Sequence, residues 1–157
     1  MRVGIGFDVH RLVHGRELWL GGIKIPYHLG LEGHSDADVL LHAIADSLLG
    51  AASMEDLGRL FPDNDETYRG ISSLILLSRV MDRIRARGYS IVNIDSVVIA
   101  ERPKLAPYID DMKREISGAL QIAPDRVGIK AKTSEGLGPT GIGEGIAAYA
   151  VSAIEFI

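Results

Sequence analysis

The sequence predicts an α/β chain of the α+β kind, with a mixed sheet in two layers and about three helices on one face. Segments rich in β-branched residues alternate along the chain with three segments of helical period. A length of 157 residues, of which 46% are apolar, suits one domain with its own core, so we expect a single domain over residues 1–157. The last strand is apolar on both faces, which indicates that both faces are covered.

The first half of the chain predicts a strand, a hairpin and a helix. "RVGIGFDVH" is strand-like, and "ELWLGGIKIPY" is typical of a hairpin whose turn is Gly21-Gly22. Helical period follows, with Ser35 as the expected N-cap and Gly50 at the expected end. The buried stripe of this helix is Leu40, Ile44 and Leu48.

The second half predicts two more helices and three strands. "SSLILLSRVMDRIRARG" is helical up to Gly88, and the strand "YSIVNIDSVVIAE" follows it. A third helix lies between Pro107 and Pro124, with its apolar face formed by Ile109, Met112, Ile116 and Leu120. "RVGIKAKTS" and "IAAYAVSAIEFI" are strand-like, and a glycine-rich loop joins them.

The two apolar faces of the last strand predict an oligomer. Three helices cover one face of a small sheet, so other copies of the chain are expected to cover the second face. One face carries Ile146, Ala148, Ala150, Ile154 and Phe156, and the other carries Ala147, Tyr149, Val151 and Ile157.

Composition excludes several classes of function. The formal charge of −4 argues against a global basic field for nucleic acid, and the absence of cysteine excludes disulfides and thiolate metal sites. The chain opens in strand-like sequence and has no apolar run of membrane length, so we expect no signal peptide and no membrane association. These features fit the cytoplasm; a plastid location would require removal of a transit peptide.

Three side chains are candidate metal ligands. Asp8 and His10 point to the same side of the first strand, because strand side chains alternate. His34, Asp38 and His42 follow at steps of four and form one row if the helix begins early enough. A carboxylate and two imidazoles suit Zn²⁺ with an open fourth position. A polar strand edge and a core histidine explain the same pattern equally well.

Two further motifs leave alternatives open. "GLGPTG", Gly136 to Gly141, matches the glycine spacing of a dinucleotide site, but Pro139 removes an amide and a strand follows, which excludes that fold. A phosphate-binding turn and a plain connection both fit this stretch. The acidic stretch "EDLGRLFPDND" fits either a solvated turn or a set of acceptors for a polyol. Lys104, Lys130 and Lys132 are candidate phosphate partners or ordinary surface lysines.

Taken together, the segments resemble the 2-C-methyl-D-erythritol 2,4-cyclodiphosphate synthase family from the first strand to the last. The matching stretches are "GFDVHRL", "GHSDADVLLHAIADSLLGAA", "DLGRLFPDND", "AERPKLAPYI" and "IKAKTSEGLGPTGIGEGIA". The resemblance implies an enzyme of non-mevalonate isoprenoid biosynthesis. Its substrate would be 4-diphosphocytidyl-2-C-methyl-D-erythritol 2-phosphate, its products the cyclic diphosphate and CMP. The resemblance also implies a homotrimer with active sites between subunits.

The resemblance assigns roles to individual residues. It implies that Zn²⁺ is bound by Asp8, His10 and His42, and that Glu135 binds a second divalent ion, Mg²⁺ or Mn²⁺. His34 and Thr133 would be the catalytic residues, with His34 and Ser35 at the substrate phosphates. In the acidic stretch the substrate-binding residues would be Asp56, Leu57, Gly58, Phe61, Pro62, Asp63, Asn64 and Asp65, and Asp8 and His10 would also contact the substrate. The wall of the cytidine pocket would be formed by Ala100, Glu101, Arg102, Pro103, Lys104, Leu105 and Ala106. The nucleotide phosphates would be bound by Ala131, Lys132, Thr133, Ser134 and Glu135.

Some positions differ from the commonest bacterial pattern of this family, and two other functions compete. Lys132 stands where threonine is frequent, and Pro139 and Ile142 stand where phenylalanine and arginine are frequent. The competing functions are a metal-dependent phosphoester hydrolase with a zinc-bound water and a non-catalytic trimeric metal- or phosphate-binding protein.

Overall fold

The computed structural model describes residues 1–157. The strands are β1 (Arg2–Val13), β2 (Leu18–Leu20), β3 (Ile23–Ile25), β4 (Gly30–Leu31), β5 (Tyr89–Ile99), β6 (Val127–Lys132) and β7 (Gly145–Phe156). The helices are α1 (Val39–Ala51), α2 (Leu57–Leu60), α3 (Ser73–Ala86), α4 (Ile109–Leu120) and α5 (Gly138–Gly141). Three helices are long, as expected. The acidic stretch and the glycine-rich loop each contain a single helical turn, α2 and α5, which the sequence did not predict.

The main sheet has the strand order β4-β1-β7-β5-β6 and is mixed, which confirms the predicted sheet type. All neighbouring strands are antiparallel except β5 and β6, which run parallel. Strands β2 and β3 form the predicted hairpin. Gly21 and Gly22 make its turn with φ of +62° and +82°, a conformation that favours glycine.

Helix α1 begins later than the sequence predicted. Its N-cap is Asp38, whose side chain accepts a hydrogen bond from the Leu41 backbone N–H, so the assignment of Ser35 as N-cap was wrong. The residues before Asp38 leave helical geometry because Ala37 has φ of +58°. Ser35 Oγ instead accepts from the Ala37 backbone N–H, 3.1 Å away, within the preceding loop.

Two glycines let α1 lie unusually close to β1. A Cβ atom added to Gly6 would lie 1.9 Å from the Ala43 carbonyl oxygen, and one added to Gly4 would lie 2.0 Å from the Ser47 carbonyl oxygen. The helix backbone therefore rests directly on the strand backbone, with no side chain of β1 between them. This contact holds α1 against the strand that carries Asp8 and His10.

The opposite face of the sheet is open and largely apolar. Its uncovered side chains on β1 and β7 are Val3, Ile5, Phe7, Val9, Tyr149 and Val151. On the β5–β6 side the same face becomes polar, where Lys130 Nζ lies 2.6 Å from Asp95 Oδ2. Strand β7 thus has one buried face and one exposed apolar face. Phe156, predicted on the buried face, is 71% exposed at the strand end, where it packs on the Tyr89 ring.

None of the helices combines the length and the apolar character that a membrane crossing requires.

Candidate metal centre and its cavity

Asp8, His10 and His42 meet between β1 and α1. Strand alternation turns Asp8 and His10 toward α1, and the close helix–strand contact brings His42 to them. Asp8 Oδ2 lies 2.8 Å from His10 Nε2 and 3.1 Å from His42 Nδ1. The three ligand atoms lie within 4.8 Å of one another, a spacing that a single metal ion can bridge.

The His10 ring is oriented by a backbone carbonyl. His10 Nδ1 lies 2.8 Å from the Glu32 carbonyl oxygen. Because a carbonyl only accepts hydrogen bonds, Nδ1 carries the proton and donates it. In the neutral imidazole the lone pair is then on Nε2, which faces Asp8 and is free to coordinate a metal.

The His42 ring is oriented by a serine and a second carboxylate. The Ser73 hydroxyl donates to Asp36 Oδ1, so its oxygen accepts from His42 Nε2, 3.0 Å away. Nδ1 of the neutral His42 ring therefore presents its lone pair to Asp8 and His10. Asp36 also accepts from the Ser73 backbone N–H at 3.0 Å, which fixes the serine at the start of α3.

The electrostatics of the cluster keep Asp8 charged. In the metal-free protein burial raises the pKa of Asp8, but hydrogen bonds and charge interactions with the imidazolium forms of His10 and His42 outweigh burial and lower that pKa to about 2. Burial lowers the pKa of His10, but the hydrogen bond to Asp8 and its charge outweigh this and raise it. One carboxylate oxygen and two imidazole nitrogens with fixed tautomers fit a divalent metal ion.

A cavity of about 210 Å³ opens in front of this cluster. Nine of the predicted site residues line it: Asp8, His10, His34, Ser35, His42, Leu57, Gly58, Phe61 and Asp63. Five other residues that line it were not predicted from the sequence: Gly33, Asp46, Tyr68, Ile71 and Leu76. The cavity therefore joins the candidate metal ligands to part of the acidic stretch.

The predicted row of His34, Asp38 and His42 on one helix was wrong. His34 lies in the loop before α1, with Nε2 3.0 Å from the Asp65 carbonyl oxygen. Asp38 is fully buried under the hairpin and accepts from the Gly21 and Gly22 backbone N–H groups at 3.0 and 2.7 Å. Burial and the Asp36 charge raise the pKa of Asp38 to about 6, against these hydrogen bonds.

Asp46 connects α1 to the acidic stretch. It lies one helical turn after His42, so both side chains point to the same side of α1. Its Oδ1 accepts from the Leu57 backbone N–H at 2.8 Å, which anchors the start of α2. The i, i+4 spacing from His42 was the signal in the sequence that could have identified Asp46.

The carboxylates of the acidic stretch also shape their own loop. Asp56 caps α2 through the Arg59 backbone N–H at 2.9 Å, and Asp65 caps the turn Glu66–Tyr68 through the Thr67 backbone N–H at 2.9 Å. Hydrogen bonds to Thr67 lower the pKa of Asp65. In this stretch Asp56 and Asp65 therefore stabilise turns, while Asp63 lines the cavity.

The two segments predicted to bind the nucleotide lie elsewhere in the chain. Residues 100–106 and 131–135 contribute nothing to the lining of the cavity. Residues 100–106 follow β5, and residues 131–135 comprise the end of β6 and the three residues after it. Both segments lie at the carboxyl edge of the parallel pair. Across the sheet Asp8 pairs with Ala148, Ala148 pairs with Val98, and Val98 pairs with Ala131. Asp8 and Ala131 are therefore three strand spacings apart, or about 14 Å.

Comparison with known proteins shows the family of the chain. The family model described as "YgbB family" matches residues 1–155. A 2-C-methyl-D-erythritol 2,4-cyclodiphosphate synthase of Pelotomaculum thermopropionicum is 60% identical over 154 residues, which are 98% of this chain and 95% of that protein.

Solved structures give the same result. The bifunctional IspDF of Campylobacter jejuni has a TM-score of 0.96 at 38% identity, covering 99% of this chain and 42% of that one. A 2C-methyl-D-erythritol-2,4-cyclodiphosphate synthase in its CDP-bound form has a TM-score of 0.90 at 38% identity, covering 98% of this chain and 100% of that one. The family resemblance seen in the sequence is thereby confirmed, and the chain belongs to the YgbB family, that of the 2-C-methyl-D-erythritol 2,4-cyclodiphosphate synthases.

Proposed function

We propose that this chain is the enzyme that converts 4-diphosphocytidyl-2-C-methyl-D-erythritol 2-phosphate to 2-C-methyl-D-erythritol 2,4-cyclodiphosphate in isoprenoid biosynthesis. Family membership over nearly the whole chain supports this reaction. The structural observation that carries it is the cluster of Asp8, His10 and His42, which could hold a metal ion and lines a cavity of about 210 Å³.

The reaction is an internal phosphoryl transfer. An oxygen of the substrate's 2-phosphate forms a bond to the β-phosphorus, while the bond from that phosphorus to the oxygen bridging it to the α-phosphate breaks. CMP leaves with the bridging oxygen. The attacking phosphate is already an anion near neutral pH, so no general base is needed, and holding both groups on one bound molecule supplies proximity.

Asp8, His10 and His42 would hold Zn²⁺, and Glu135 would hold a second ion, Mg²⁺ or Mn²⁺. Bound divalent ions supply neutralisation of the phosphoryl oxygens during transfer between two anionic groups. The donor set of one oxygen and two neutral nitrogens favours zinc over magnesium at the first site, because magnesium prefers oxygen ligands.

The other residues would position the substrate. His34 and Ser35 at the cavity wall would bind its phosphates, and Asp63 and Gly58 would face the methylerythritol hydroxyls. Thr133 would stabilise charge in the transition state. The nucleotide would lie along the remaining predicted residues of the segments 100–106 and 131–135.

We further propose that the active unit is a homotrimer whose sites lie between subunits. Two observations support this arrangement. The open sheet face exposes six large apolar side chains, which a second copy would cover. The predicted nucleotide segments also lie outside the metal-centre cavity of their own chain, so a neighbouring chain would complete the site.

Product analysis tests the proposal directly. The purified protein, incubated with the substrate and Mg²⁺, is expected to release CMP and the cyclic diphosphate in equal amounts. His42→Ala is expected to lose metal and nearly all turnover. A linear hydrolysed product would identify a phosphoester hydrolase instead. Substrate binding without CMP release would identify a binding protein, and unchanged zinc content in His42→Ala would contradict the assigned ligand set.

A further inference from the structure

The side chain of Glu101 crosses between the two loops that leave the parallel strands. Strands β5 and β6 stay in register up to Ile99 and Lys132, and the Ala100 backbone N–H adds one more hydrogen bond to the Lys132 carbonyl oxygen at 2.9 Å. Beyond this point the loops separate. Glu101 Oε1 then accepts from the Gly136 backbone N–H at 2.8 Å, which ties the first loop to the second.

The hydrogen bond between Gly136 and Glu101 acts on a turn whose backbone has two successive positive φ angles. Glu135 and Gly136 have φ of +54° and +74°, so two successive residues adopt left-handed geometry. This conformation is unfavourable for glutamate and persists only where surrounding contacts impose it. The hydrogen bond from Gly136 to Glu101 supplies such a contact at the second of the two residues.

The same turn carries the two side chains with proposed chemical roles. The Thr133 hydroxyl donates to Glu135 Oε1 at 3.2 Å, and the Glu135 backbone N–H lies 3.3 Å from Thr133 Oγ1. Both side chains are exposed, so they are available to a ligand. A change in the backbone at Gly136 would therefore move Glu135 and Thr133 together.

Glu101 itself is turned inward. Its Oε2 is buried and has no hydrogen-bond partner. An inward carboxylate oxygen without a donor is costly, so keeping Glu101 in this place requires a compensating role for Oε1. The hydrogen bond that Glu101 Oε1 accepts from Gly136 supplies this compensation. It acts on the neighbouring loop and does not require Glu101 to touch a ligand.

We propose that Glu101 is a positioning residue that holds the Thr133–Glu135 turn in the conformation that binds a divalent ion and the nucleotide phosphates. The proposal rests on the proposed function, which assigns those ligands to Thr133 and Glu135. It assigns Glu101 an indirect role, through Gly136, instead of a contact with the substrate.

The test compares Glu101→Ala and Glu101→Gln with the control Glu115→Ala, which removes an exposed glutamate on α4. Hydrogen exchange at the Gly136 amide, Mn²⁺ binding in the presence of CDP, and zinc content are measured for each. Glu101→Ala is expected to exchange faster at Gly136 and to bind Mn²⁺ about tenfold to hundredfold more weakly, with zinc content unchanged. Glu101→Gln keeps an amide oxygen as acceptor and is expected to restore both.

Each other outcome is decisive. Slow exchange at Gly136 and normal Mn²⁺ binding in Glu101→Ala would overturn the proposal, as would Glu101→Gln behaving like Glu101→Ala. A wild-type protein that binds no Mn²⁺ with CDP would also overturn it. Since none of these measurements requires turnover, failure of the wild type to release CMP would reject the proposed function alone.

Discussion

At the scale of single residues, hydrogen bonds to the outer nitrogen atoms of His10 and His42 decide which nitrogen atoms face the candidate metal site. His10 is oriented by the Glu32 carbonyl group and His42 by Ser73, which in turn is held by Asp36. Such partners fix the ring orientation and the tautomer before a metal binds, which reduces the cost of assembling the site. The cluster therefore depends on residues that never touch the metal.

Ser73→Ala is expected to weaken metal binding without unfolding the protein. The substitution removes the acceptor 3.0 Å from His42 Nε2 and leaves only the longer contact with Ser35 Oγ at 3.3 Å, so the ring is held less firmly and zinc affinity should fall about tenfold to hundredfold. Competition with a chromophoric chelator measures it. Ser78→Ala on the same helix is the control, since its hydroxyl bonds only backbone carbonyl groups. Equal zinc affinities of the two variants would contradict this role.

Asp46→Ala is expected to raise the KM for the substrate while zinc content stays unchanged. The Leu57 backbone N–H would lose its charged acceptor, which is worth about 1.5–3 kcal/mol, and the acidic stretch would no longer be anchored at the cavity. Steady-state kinetics measure the effect. Asp46→Asn should recover part of it, and Asp82→Ala, an exposed position on α3, should have none. A KM unchanged in Asp46→Ala would refute the anchoring.

The pH dependence of the metal-free protein follows from four buried or partly buried groups. The lowered pKa of Asp8, about 2 against 3.8, gives stability that is present above 3.8 and lost as the pH falls toward 2. The raised pKa values of His10, of Asp46 and of Asp38, about 6 for the last, give stability that is lost as the pH rises through them. The EDTA-treated protein should therefore unfold at higher urea near about pH 5 than near about pH 8.

The control for this prediction is the double variant His10→Gln with Asp38→Asn, which removes two of the three groups that lose stability at higher pH. Its urea midpoint should change less between the two pH values. A wild-type midpoint that increases with pH in EDTA would show that these two groups do not dominate the dependence.

At the scale of elements, the contact of α1 with β1 sets the distance between His42 and the other two ligands. Gly4 and Gly6 leave no Cβ atoms between the helix and the strand, and the helix carbonyl groups occupy that space. Asp8 and His10 continue the same row of β1, two and four residues beyond Gly6, on the side that faces α1. The strand therefore changes from a packing surface to a ligand-bearing surface within two residues.

Gly6→Ala is expected to damage stability and the metal centre together. The new Cβ would lie 1.9 Å from the Ala43 carbonyl oxygen, so α1 must move away from β1 and take His42 with it. We expect a loss of about 1–3 kcal/mol in the free energy of unfolding and weaker zinc binding. Urea unfolding and metal analysis measure both. Gly50→Ala near the end of α1, where a Cβ has room, should retain both properties, and normal zinc affinity in Gly6→Ala would contradict the close-contact explanation.

At the scale of the whole molecule, the two faces of the sheet differ in what covers them. The face toward α1, α3 and α4 forms the buried core, while the other face exposes Phe7, Ile5 and Val151 among its apolar side chains. On the β5–β6 side the exposed face carries the ion pair of Asp95 and Lys130. A second copy packed on this face would bury the apolar part and leave the ion pair to define the orientation.

Phe7→Asp is expected to separate the proposed trimer into single chains. A charge at the centre of the apolar face would have to be buried without a partner, which opposes association. Sedimentation velocity should give three times the 17.0 kDa chain mass for the wild type and a single chain for the variant, with loss of CMP release. Ile75→Asp, an exposed apolar position on α3, should remain trimeric; a trimeric Phe7→Asp would place the interface elsewhere.

The features that were predictable from the sequence are those that depend on local geometry. Strand period two placed Asp8 and His10 on one side, and two glycines with positive φ made the hairpin turn where expected. Helical period identified α1, α3 and α4, since their apolar stripes recur within a few residues. The family resemblance added the third ligand, His42, which spacing alone left undecided.

The way in which distant segments meet depends on contacts across the fold, which the sequence did not predict. The prediction that His34, Asp38 and His42 form one row was wrong for two reasons. Ala37 has a positive φ that turns the chain before the helix, and the Asp38 side chain binds the Gly22 backbone N–H, 16 residues away in the hairpin. The hydrogen bonds from Leu57 to Asp46 and from Gly136 to Glu101 join distant parts of the chain, and no local period predicts them. The separation of residues 100–106 and 131–135, which are predicted to bind the nucleotide, from the cavity beside the candidate metal ligands likewise follows from the strand order β1-β7-β5-β6, because pairing between distant strands is set by packing of the whole chain.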